Sequence, residues 1–129
     1  MKFLFFNTVF YPNKVGGAER SLKILVDGFS KKGIETVVVT LAFKKAEVKT
    51  IDKTKVYYER VRNLYNPFVN KEFKGRGIAK IVWHLIDVKN YLVKRRVKRI
   101  LKIEKPDVVN TNNLAGYTTI DWQACKELN

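Results

Sequence analysis

The chain has 129 residues, 46% of them apolar, which is about one domain's worth of sequence with too much apolar content for a disordered chain. Lysine and arginine number 26 against 12 acidic residues, and the formal net charge of +14 favours polyanionic partners without choosing among lipid, nucleic acid and phosphorylated substrates. The single cysteine, Cys125, excludes an internal disulfide, and no apolar run is long enough to span a bilayer.

Lys2 to Phe10 is dense in Phe, Leu and Val and ends at Tyr11-Pro12, which predicts a buried first strand. Ala18 to Lys32 carries Leu22, Leu25, Val26 and Phe29 at helical spacing and stops at Gly33. Ile34 to Leu41 is continuous and β-branched, as an interior parallel strand would be. These three pieces make a βαβ unit with a right-handed crossover. The polar stretch from Ala42 to Lys55 reads as a surface loop, and Val56 to Arg62 as a short strand. Asn63 to Gly77 contains Asn-Pro and two glycines and reads as a long loop.

Ile78 to Lys105 predicts one long helix whose apolar stripe runs through Ile78, Ile81, Val82, Leu85, Val88, Leu92, Ile100 and Leu101, ended by Pro106. Asp107 to Asn112 is a short strand turning polar, and Thr119 to Leu128 a helix capped by Thr118 or Thr119. The order β-α-β-β-α-β-α predicts a Rossmann-like α/β fold, a parallel sheet flanked by helices, in a single domain over residues 1–129. Ligands gather at the carboxyl ends of strands in such sheets. The two ends that stand out are Asn13 to Glu19 and Asn110 to Tyr117.

At the first of these ends Gly16-Gly17 separates an apolar strand from an amphipathic helix. Two readings are open: a tight turn that holds nothing, or a close approach of an anion to the free N–H groups of the helix start. Glu19 suits the positive end of the helix dipole, and Arg20 suits either a phosphate or an acidic neighbour. His84, beside Trp83, has no partner at metal-ligand spacing, so no metal site is expected. Dinucleotide and Walker fingerprints are both missing.

Gly16-Gly17-Ala18-Glu19-Arg20, the helix that follows it, Val37 to Thr40, and Lys105-Pro106-Asp107-Val108-Val109-Asn110-Thr111-Asn112-Asn113, taken in this order, resemble the N-terminal half-domain of a GT-B glycosyltransferase of the retaining family-4 type. The resemblance implies a truncated, acceptor-side half-domain. Its partner would be a C-terminal GT-B domain, in the same or a separate chain. The implied reaction moves a sugar from a nucleotide-diphosphate sugar to a glycan or lipid-linked acceptor, with no other cofactor. It further implies that Gly16, Gly17 and Arg20 meet the donor's phosphate or sugar, and that Asn110, Asn112 and Asn113 meet acceptor or sugar hydroxyls. Two departures stand out. Asn110 and Asn112 occupy positions where the family often has histidines, and asparagine cannot act as a general acid or base near neutral pH. The family's glutamate pair and nucleotide-binding domain are also missing, so this polypeptide alone is expected to be inactive.

Lys89 to Lys105 packs eight basic residues against one acid, Glu104. As a helix it turns Leu92, Val97, Ile100 and Leu101 inward, and Lys94, Arg95, Lys98, Arg99 and Lys102 outward. That face is either simply solvated or set against anionic lipid, with Lys71, Lys74 and Arg76 extending it and Phe68 and Phe73 as shallow anchors. The alternative function is therefore a non-catalytic basic module docking on anionic membrane, cytoplasmic and peripheral on the inner face. Nucleic acid is the weaker use of the charge, since no recognisable module accompanies it. An exposed sheet edge would permit a homo-oligomer.

Overall fold

A computed structural model describes residues 1–60, 77–88, 90–113 and 120–127. Five strands, β1 (Lys2–Asn7), β2 (Glu35–Ala42), β3 (Glu47–Ile51), β4 (Thr54–Arg60) and β5 (Val108–Asn113), form one sheet in the order β3-β4-β2-β1-β5. The helices are α1 (Ala18–Lys31), α2 (Ile78–Val88), α3 (Tyr91–Glu104) and α4 (Ile120–Lys126). The sheet, α1 and Glu104 belong to one compact unit; α2, the rest of α3 and α4 belong to another.

β1 pairs in parallel with β2 and β5, and β2 with β4, as an α/β fold requires. The central strands are buried on both faces: Leu4, Phe5, Phe6, Val37, Val38 and Val39 are at most 1% exposed. On one face Phe5, Phe10, Val38, Val56 and Tyr58 pack with Leu22 and Val26 of α1, and the Phe29 ring lies 4.8 Å from that of Phe3. Leu25, expected to share this face, is instead 41% exposed. The helix presents only a narrow stripe to the sheet, and Leu25 falls beyond its edge. α1 ends as its sequence predicts. Gly33 takes φ +73°, and the N–H groups of Gly33 and Ile34 donate to the carbonyls of Ser30 and Phe29 at 3.1 and 3.0 Å. Those two bonds form a Schellman cap.

Two expectations need correction. The predicted loop from Ala42 to Lys55 contains β3, antiparallel to β4, so the sheet is mixed. Its hairpin turns through Asp52 and Lys53, both at positive φ (46° and 68°), without the glycine that usually marks such a turn. The predicted long helix is two helices. Asn90 caps the second, its Oδ1 accepting from the Val93 N–H at 3.3 Å. The shared apolar stripe fails with it, because Ile78, Ile81, Leu85 and Leu92 are 79%, 61%, 66% and 58% exposed. Val93 takes the inward place expected of Leu92, beside Val97, Ile100 and Leu101, all buried. Lys105 at φ 45°, followed by Pro106, ends α3 where the sequence expects. The Asn63–Gly77 loop except Gly77, the extension of the patch by Lys71, Lys74 and Arg76, the anchors Phe68 and Phe73, the part of the Asn110 to Tyr117 strand end beyond Asn113, and the Thr118 or Thr119 cap lie outside the described residues.

Candidate functional site

β1 sits between β2 and β5, so the chain leaves β1 toward one side of the sheet and returns on the other. This is a topological switch point, the place where an open α/β sheet leaves a crevice at the carboxyl ends of its strands. The Gly16-Gly17 loop follows β1, and Asn110, Asn112 and Asn113 end β5 beside it. The two sequence-predicted clusters thus come from the ends of neighbouring strands. Their register slips between Phe6 and Asn7: Phe6 pairs with Thr111 and Asn7 with Asn113, so Asn112 bulges out. All three asparagines are exposed.

The first half of the loop is firmly tied down. The Thr8 N–H and hydroxyl both donate to the Asn113 carbonyl, at 3.0 and 2.9 Å. The Thr8 carbonyl accepts from the Leu41 N–H and the Thr40 hydroxyl, each at 3.2 Å. Asn7 Nδ2 donates to the Val9 carbonyl at 2.5 Å. The Tyr58 hydroxyl donates to the Tyr11 carbonyl, and burial, with the Glu47 charge, pushes that phenol up to about 12. It therefore remains a donor throughout the physiological range.

The second half is organised by Glu19, which sequence reasoning credits only with complementing the helix dipole. Its Oε1 accepts the N–H groups of Val15 and Gly16 at 2.5 and 2.6 Å. Burial pushes this carboxyl up; hydrogen bonds from its own N–H and those of Gly16 and Val15, with the Arg20 charge, outweigh it and hold the group below the usual carboxylate value. Gly16 therefore spends its N–H inside the loop. The N–H groups of Gly17 and Ala18, at the start of α1, have no partner among the described residues. The signal was in the sequence: a glutamate in the first helical turn just after two glycines.

Beside the loop lies a depression of about 380 Å³, bordered by Tyr11, Lys14, Gly16, Glu19, Arg20 and Lys23; Gly17 and Ala18 are not part of its border. Among the described residues Lys14 and Arg20 form no ion pair, and the Lys14 ammonium lies 5.6 Å from the Tyr11 ring centroid. Lys23 is engaged by Asp27 and Asp52 at 2.6 and 2.9 Å; burial works against its charge, and those two bonds overcome it and raise its affinity for the proton. The asparagines do not line this depression, so the two clusters share the strand ends without sharing one cavity.

The basic face of α3 divides. Lys94 (2.7 Å) and Lys98 both pair with Glu127, and their hydrogen bonds hold that carboxyl down to about 2. Arg95, Arg99 and Lys102 are exposed. His84 is exposed, its ring edge-on to Trp83. Among the described residues no cluster of His, Cys, Asp and Glu could hold a metal, and no helix is long and apolar enough to cross a membrane.

No family profile matches the chain, and no solved structure matches it significantly. It is similar to an uncharacterized 42.6 kDa protein in the cps region of Klebsiella pneumoniae, 33% identical over 132 residues that cover 98% of this chain and 34% of that one. The chain thus spans about a third of that relative's length.

Proposed function

We propose that the chain is the acceptor-side, N-terminal part of a GT-B glycosyltransferase, working with a C-terminal domain in the same or a separate chain. The transfer would run from a nucleotide-diphosphate sugar to a glycan or lipid-linked acceptor. The observation that carries the reading is the switch point, which sets the Gly16-Gly17 loop and the Asn110–Asn113 cluster at the ends of adjacent parallel strands. The relative from a cps region supports a polysaccharide setting.

The residues suit such a substrate. A phosphate at the start of α1 would meet the N–H groups of Gly17 and Ala18 and the positive end of the helix. Lys14 and Arg20, which border the adjacent depression, would supply counter-charges. Glu19 holds the loop open by taking the N–H groups of Val15 and Gly16. Asparagine side chains both donate and accept, which matches sugar hydroxyls. They move no proton at neutral pH, so this part of the protein binds and orients while the acid–base chemistry lies elsewhere.

A thermal-shift titration with pyrophosphate and with UDP-glucose tests the reading. Both ligands raise Tm for the unsubstituted chain, since a ligand that binds only the folded state stabilises it. Gly17→Val and Arg20→Gln lower the shift. Equal Tm with and without millimolar ligand contradicts the reading.

A further inference from the structure

α2 turns apolar residues to solvent. Ile78, Ile81, Val82 and Leu85 follow i, i+3, i+4, i+7 spacing, so they share one face of the helix, and they are 79%, 61%, 37% and 66% exposed. Trp83, on the opposite face, is buried. Two residues further on, α3 opens a second face of a different kind. Leu92, Arg95, Arg99, Lys102 and Ile103 fall within roughly a third of its circumference and border a shallow depression of about 770 Å³. Leu92 and Ile103 are 58% and 57% exposed at its two ends. Val93, Val97, Ile100 and Leu101 fill the other side of α3.

We propose that this unit docks on an anionic lipid bilayer, with the α2 face entering the acyl boundary and Arg95, Arg99 and Lys102 meeting the headgroups. Charge and apolarity together select that occupant. Three exposed cations in a chain of net charge +14 attract any polyanion. A nucleic acid or a soluble acidic glycan, however, gives Ile78, Ile81 and Leu85 nowhere to leave water. A bilayer interface accepts both, since apolar side chains bury there while basic ones bind anionic headgroups. Lys94 and Lys98 pair with Glu127 just beyond α4, and Lys98 also borders the depression. The inference is independent of any ligand at the Gly16-Gly17 loop.

Flotation of the chain with phosphatidylcholine vesicles, with and without phosphatidylglycerol, tests it. Binding is expected only to the anionic vesicles and weakens with salt. Replacing Arg95, Arg99 and Lys102 by Gln lowers the partition coefficient roughly a hundredfold, about fivefold per cation. The double variant Ile81→Ser, Leu85→Ser lowers it by about tenfold or more while retaining the circular dichroism of the parent. Three results overturn the proposal: no preference for anionic vesicles, unfolding of the double Ser variant (which would make the face part of a core), or tight polyphosphate binding that survives that variant with no loss of vesicle binding.

Discussion

A methyl group added at Gly16 or Gly17 would meet no atom within 4 Å, and neither residue has a positive φ. Neither conformation nor packing therefore demands glycine here, unlike Gly33, and close approach of a ligand is the reason the proposed function supplies. Gly17→Ala should leave stability unchanged or raise it by about 0.4–1 kcal/mol through the unfolded chain, while weakening anion binding; denaturant unfolding and the thermal-shift titration read the two effects separately. Glu19 is the opposite case. Glu19→Ala strands two N–H groups in the loop and should cost about 1–2 kcal/mol. Its carboxyl is held below the unfolded value, so its stabilisation is present above about pH 4.3 and fades as pH falls through the folded value. Glu19→Gln should accordingly flatten the acid side of the stability profile measured by urea midpoints.

The elements show which signals a sequence carries openly. β1, α1, β2 and β5 were legible because apolar runs, the Gly33 cap and the stop at Pro106 are local signals. β3 was not: its side chains are largely exposed, and its turn uses Asp and Lys where glycine is usual. The break before α3 was hidden because apolar spacing continues across it, although Asn90 is a strong cap residue. Asn90→Ala should destabilise by about 1 kcal/mol and speed hydrogen exchange at the Val93 amide. The residue types of the candidate site were visible, but the bulge at Asn112 and the grip of Glu19 on the loop depend on strand register and backbone path. Spacing alone does not encode either.

At the scale of the whole molecule, chemistry is segregated to opposite ends of the sheet. The carboxyl ends carry the glycine loop and the asparagines. The amino ends are closed by Glu104, 5% exposed, which accepts from Lys55 at 2.6 Å, from Lys2 at 3.4 Å and from the Tyr57 hydroxyl. Burial pushes this carboxyl up, and its bonds to Lys55, Tyr57 and Lys2 outweigh that and hold it down. Glu104→Ala should cost about 3 kcal/mol, because it leaves partners unpaired, whereas Lys55→Met should cost about 1 kcal/mol or less, since Lys55 is 42% exposed. Chemical-denaturation midpoints compare the two. Neither change should alter ligand binding at the far end of the strands.

The central claim is that an anionic sugar donor meets the start of α1, and backbone amide NMR with millimolar UDP-glucose tests it most directly. Shifts concentrated at Gly16, Gly17, Ala18 and Arg20, and diminished by Gly17→Val, are the result this structure leads us to expect. Silence at those amides, or shifts confined to the arginines of α3, would contradict it.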